Sequence, residues 1–127
     1  YGVREDGQVS RKLYNFRILL FTMQNLFEII DKRGKHVRLT FESWSHIRRD
    51  HPQVEEEEIM ITLTKPFKIV FIEEKNKAYF FRYFKHKKLK EKYLRVIVKY
   101  LNGEGYIITS HFVKYMNQYG RRNENIL

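Results

Sequence analysis

Apolar residues recur along this chain with two different spacings. Over residues 12–23, Leu13, Phe16, Leu19, Leu20 and Met23 fall at three- and four-residue steps, which predicts an amphipathic helix. The stretch "LFEIIDKRGKHVRLTF" then reads as two short strands around a turn at 31–34, where Gly34 can supply a positive φ. Thr40 is placed to cap a helix starting near residue 41, on which Phe41, Trp44, Ile47, Arg48 and His51 share a face. Pro52 disfavours helical geometry at His51 and ends that helix. A second helix is expected over 54–63, with Glu55, Glu56, Glu57 and Glu58 in its first turn. Carboxylates there meet the positive end of the helix dipole, which is reason enough for the acidic run.

After Pro66 the spacing changes. "FKIVFIEE", "KAYFFRYF", "YLRVIVKYL" and "YIITSHFV" are rich in β-branched and aromatic residues, and each reads as a strand. Turns are expected at 74–77 and 102–105, with a longer basic loop over 85–92. The expected fold class is α+β: N-terminal helices packed on a four-stranded antiparallel β-meander, with a short preceding hairpin. A single domain is expected over 11–119, between a flexible segment 1–10 and a polar tail 120–127.

Charge sharpens this outline. Residues 1–63 hold ten Lys/Arg against ten Asp/Glu, and residues 64–127 hold fifteen against five, so the second half carries the whole net charge of +10. Such asymmetry fits a polyanionic partner such as nucleic acid, and equally a lysine-rich solvated surface. There are no cysteines, which excludes a disulfide framework and a thiolate zinc site and suits a reducing cytoplasm. The most apolar run, residues 16–30, is interrupted by Arg17, Gln24, Asn25 and Glu28 and falls short of the ~20 apolar residues of a spanning helix. No membrane segment or secretory signal is expected, and the expected location is the cytoplasm. A chain that starts at Tyr1 rather than methionine is expected to be processed, trimmed or excised from a longer protein.

Candidate chemistry centres on "FESWSHIRRDHPQVEEEEI". In a regular helix His46 and His51 differ by five steps, about 140° around the axis, so they do not form a simple pair. From pattern alone, His51 reads as a half-buried structural histidine and His46 as an exposed one. Histidines 36, 46, 51, 86 and 111 show no HxH or HExxH spacing, so no metal and no other cofactor is expected. In the last strand Thr109 and His111 share a face, a polar pair in an otherwise apolar segment. Tyr79 and Arg82 fall on opposite faces of their strand unless a bulge intervenes. The loop "KHKKLKEK" offers Lys85, Lys87, Lys88 and Lys90 to phosphate charge or, as plausibly, to solvent.

The succession "GKHVRLTFESWSHIRRDHPQV", "IMITLTKPFKIV", "KAYFFRYF", "LRVIVKYL" and "GYIITSHFV" resembles the phage-type branch of the barnase–EndoU–colicin–RelE (BECR) nuclease superfamily over roughly residues 34–115. The resemblance implies a metal-independent endoribonuclease of toxin or effector type, with helices on a four-stranded antiparallel sheet. His46 and His51 match the motif histidines, Tyr79 and Arg82 the polar strand residues, and Thr109 the last-strand threonine. His111 stands where an aromatic residue is more usual, as an added acid–base group or a neutral replacement. Asp50 before His51, and Gln53 after Pro52, depart from the usual basic and acidic residues.

In the implied reaction a base deprotonates the RNA 2′-hydroxyl, which attacks the adjacent phosphorus and leaves a 2′,3′-cyclic phosphate. Histidine suits both proton transfers at neutral pH, and a guanidinium supports the transition-state charge. His46 or His51 is expected as base, the other histidine or His111 as acid, and Arg82 or Arg48 as anion clamp. Arg48, Arg49 and the loop lysines are expected to hold RNA. Expected partners are RNA and a cognate antitoxin or immunity protein. The alternatives are a non-catalytic RNA- or protein-binding module and a ribosome-dependent mRNA-cleaving toxin.

Overall fold

A computed structural model describes residues 24–122, so the helix expected over 12–23, the segment 1–10 and most of the polar tail lie outside the described residues. Six strands form one mixed sheet: β1 (Asn25–Ile30), β2 (His36–Thr40), β3 (Lys68–Ile72), β4 (Lys77–Tyr83), β5 (Tyr93–Leu101) and β6 (Glu104–Val113). Their order is β1-β2-β6-β5-β4-β3, antiparallel throughout except where β2 runs parallel to β6. Among the described residues two short helices, α1 (Phe41–Asp50) and α2 (Glu56–Thr64), lie between β2 and β3 in the chain.

This corrects the expected four-stranded meander with N-terminal helices and a separate preceding hairpin. The hairpin is part of the sheet, joined to β6 where Val37 faces Gly105 and Arg38 faces Tyr106. Gly105 makes the join sterically feasible. A Cβ there would lie 2.9 Å from Val37 Cγ2, 3.0 Å from Tyr100 Cε1 and 3.0 Å from Val98 Cγ1. Backbone pairing between distant segments leaves little trace in local periodicity, so the alternation of each strand was legible and the join was not.

The local signals explain both helices. Thr40 Oγ1 accepts from the Ser43 N–H at 3.1 Å, and α1 stops at His51, whose φ of −137° and ψ of 67° are those of a residue leaving the helix before Pro52. At the start of α2, the Glu58 carboxylate accepts from the Glu55 N–H at 3.0 Å, satisfying one of the donors that a helix start leaves free. Both helices pack on one face of the sheet. There Ile47, Val54, Ile59 and Leu63 meet Val37, Leu39, Phe80, Leu94, Val96 and Val98 in the main core. The other face has a smaller cluster of Tyr79, Phe81 and Val113, flanked by Val70, Tyr93, Ile97 and Met116.

A register shift in β6 connects fold to site. Ile97 faces Thr109 but Val98 faces Ile107, so Ile108 is an extra residue, and it is exposed. Without this bulge Ile107 and Thr109 would share a face. With it, Ile107 joins the helix-side core while Thr109 and His111 pair across from Ile97 and Arg95 on the other face.

Candidate active site

Arg95 and His111 are direct register partners on β5 and β6, so their side chains project to the same face. Tyr79 lies on this face too, facing Ile97 across β4–β5 as Thr109 does across β5–β6. The Arg95 guanidinium is 5.8 Å from the Tyr79 ring centroid, and its Nη2 is 3.0 Å from His111 Nε2. A guanidinium can only donate, so His111 Nε2 is the accepting nitrogen and the ring proton sits on Nδ1. Burial pushes the His111 pKa down to about 4, helped by the positive charges of Arg95 and His51. His111 is therefore neutral at pH 7.

His51 completes the group from the helix side. α1 packs against β6, and the ring of His51, at the end of α1, stacks on that of His111 with centroids 4.6 Å apart and planes 19° apart. Arg48 fixes the turn that carries His51: Nη1 donates to the carbonyls of Pro52 and Val54 at 2.6 and 2.7 Å. The sequence pattern put His51 on the Trp44/Ile47 face of a helix. The partner it found there was a strand histidine.

Other candidates are placed elsewhere. Arg82 faces Leu94 on the helix side of the sheet, opposite to Tyr79, because the β4–β5 register runs without a shift. Its Nη1 donates to the Lys65 carbonyl at 2.6 Å and its guanidinium lies 4.7 Å from the Phe67 ring centroid. His46 is exposed on α1 and does not join the cluster. Asp50 is held by Arg49, whose Nε and Nη2 donate to its two oxygens at 3.0 and 3.3 Å. That hydrogen bond is the main cause that draws the Asp50 pKa down, with smaller help from the charges of His51 and His46.

Within the basic loop the lysines divide. Lys87 Nζ donates to the Gln53 carbonyl at 2.8 Å, lies 2.9 Å from Glu58 Oε2, and sits 5.3 Å from the Phe112 ring centroid. It pins the loop beside the segment carrying His51. Lys85, Lys88 and Lys90 are exposed. Sequence reasoning missed Arg95, although a lone arginine between Leu94 and Val96 in an apolar strand was a signal.

Above Arg95, the segment after β6 closes part of this face. Arg95 Nη1 donates to the Gln118 carbonyl at 2.7 Å, and Gly120, with φ of +70°, passes so close that a Cβ would lie 3.0 Å from that same nitrogen. Next to it is an open depression lined by Lys68, Tyr93, Lys114, Tyr115, Met116 and Asn117. Among the described residues no helix is long and apolar enough to cross a membrane. Comparison of the chain with family models, curated proteins and solved structures gives no match.

Proposed function

We propose that this chain is a metal-independent endoribonuclease that cleaves by 2′-hydroxyl attack and leaves a 2′,3′-cyclic phosphate. One observation carries the reading: His51 and His111, distant in sequence, stack ring on ring with Arg95 hydrogen-bonded to the second ring. His51 is the proton-transfer group of this stack. It removes the 2′-hydroxyl proton while His111, held neutral, fixes the orientation of its ring. Arg95 supplies positive charge behind the pair, and Thr109 and Tyr79 lie on the same face. His51, once it holds that proton, returns it to the leaving 5′-oxygen, since exposed His46 does not join the cluster. Lys85, Lys88, Lys90 and Arg49 hold the RNA strand through its phosphates, which gives binding with strong salt dependence and little sequence preference. The tyrosines and lysines of the neighbouring depression suit stacked bases and backbone charge. The BECR resemblance supplies the reaction class, and the toxin or effector role belongs to the same proposal.

The test is RNA cleavage in EDTA, free and on ribosomes, with analysis of the product ends. Cyclic phosphate ends are expected, with about a hundredfold loss in His51→Ala and little change in His46→Ala. RNA that is bound but never cut, or a His51→Ala variant that cuts as well as the parent, would overturn the enzyme reading. The first result would leave a non-catalytic RNA-binding module.

A further inference from the structure

The far end of the sheet from His111 holds a second constellation, which the nuclease reading does not use. A cavity of about 170 Å³ is lined by Arg33, Lys35, Phe71, Asn76, Tyr100 and Gly103. It lies where the β1–β2 turn, the turn after β3 and the β5–β6 turn come together. Arg33 is its distinctive member. Its guanidinium sits in the corner between two rings, 4.6 Å from the Phe71 centroid and 5.3 Å from the Tyr100 centroid. Those rings are themselves set edge to face at 6.4 Å.

The corner is built rigidly. The Tyr100 hydroxyl donates to Asp31 Oδ2 at 3.0 Å, and Asp31 Oδ1 accepts from the Arg33 and Lys35 backbone N–H groups at 2.8 and 2.9 Å. Asp31 is buried, and its two oxygens are turned inward to these donors. The turn carrying both cations is thereby locked to the tyrosine platform.

Among the described residues, what the corner lacks is an acceptor. Arg38, Arg48, Arg49, Arg82 and Arg95 each donate to a carboxylate, a carbonyl or an imidazole. Arg33 has only the two ring faces among the described residues. Lys35 likewise has no carboxylate partner among them, and Gly103 leaves open space where a side chain would stand. A guanidinium set against two rings, with no acceptor among the described residues, a lysine beside it and an amide at the rim, matches a tetrahedral oxyanion.

We infer that this cavity is a phosphate-binding site, with Arg33 as a preorganised bidentate donor and Lys35 as its second cation. The group it takes is a phosphate of a nucleotide or of a nucleic-acid strand. This inference does not depend on RNA cleavage, because the site shares no residue with the His51–His111–Arg95 group.

The test is a titration of the intact chain, followed through its backbone amide NMR signals, with inorganic phosphate, AMP and a short oligodeoxythymidylate in separate arms. Shifts are expected at residues 33–35, Asn76 and Gly103, with about tenfold weaker binding in Arg33→Gln and a partial loss in Arg33→Lys. Saturation by phosphate and AMP alone would identify a free or terminal phosphate as the ligand; saturation by the oligonucleotide would identify strand backbone. His51→Ala is expected to bind as the parent does even if cleavage is abolished. A thermal melt of Arg33→Gln checks its fold, since the side chain is exposed. No shift at these residues in any arm, or equal affinity in a folded Arg33→Gln, would overturn the inference.

Discussion

At the start of β6, Glu104 Oε1 lies 2.6 Å from His36 Nδ1 and 2.7 Å from Arg38 Nη2, while His36 Nε2 lies 2.8 Å from Glu28. Near the end of the same strand, His111 has an arginine and a second imidazole for company and, among the described residues, no carboxylate. His36, half-exposed between two acids, has its pKa raised, chiefly by its hydrogen bond to Glu104 and against some desolvation. His111 has its pKa pushed down to about 4, chiefly by burial. The start of β6 thus meets a histidine of β2 that prefers to be charged, and its far end holds one that prefers to be neutral. Their company decides this, and the residue type does not.

The comparison breaks first at the join. Gly105→Val puts a branched side chain into the space of Val37, Val98 and Tyr100, and a loss of about 3 kcal/mol or more in unfolding free energy is expected. If the two ends are independent, the His111 ring signals of this variant remain those of the parent wherever the fold survives. A destabilisation below 1 kcal/mol, roughly the scale of a surface change, would show that the join is looser than described.

Next in size is Arg95→Met. It removes the donor to His111 Nε2 and to the Gln118 carbonyl, so a loss of about 2 kcal/mol is expected in denaturant unfolding. The His111 pKa should move part of the way back toward its ordinary value, because one positive neighbour is gone while burial persists. An unchanged titration in NMR would mean that Arg95 does not act on the ring.

The acid side sharpens the contrast. A histidine with a folded pKa of about 4 and an ordinary value of 6.5 contributes stability in full above pH 6.5, and loses it as the pH falls toward 4. After allowing for water that reaches the ring, the loss is on the order of 2 kcal/mol, and it should be absent in His111→Phe. His36 has the opposite sign. Its pKa is raised, so its contribution is complete below 6.5 and fades as the pH rises through the folded value. His36→Gln is expected to remove that small alkaline decline and to leave the acid limb unchanged, as read from melting temperature across pH.

Much of the local architecture was legible. The strand periodicity of "YLRVIVKYL", the Thr40 cap and the Pro52 stop act within a few residues, and each corresponds to an element of the structure. The face shared by Thr109 and His111 was legible for the same reason. The partition of the candidate site was not. Arg82 and Arg48, natural anion clamps by type, spend their donors on the carbonyls of Lys65, Pro52 and Val54. Arg95, which has no motif around it, sits against His111. Which arginine has donors to spare depends on the acceptors that folding brings near it, and those come from other segments.

The sequence by itself determined where the chain turns, which residues alternate across each strand, and that the excess positive charge lies in the second half. These follow from short-range sterics, capping and composition, which each residue carries with it. Only the tertiary structure decided that the hairpin joins β6 in parallel at Gly105 and that a bulge at Ile108 turns His111 toward Arg95. It also decided that His51 reaches across to stack on that ring. These depend on register and on contact between distant segments, where burial and neighbouring charge give two histidines of one small sheet opposite preferences for a proton.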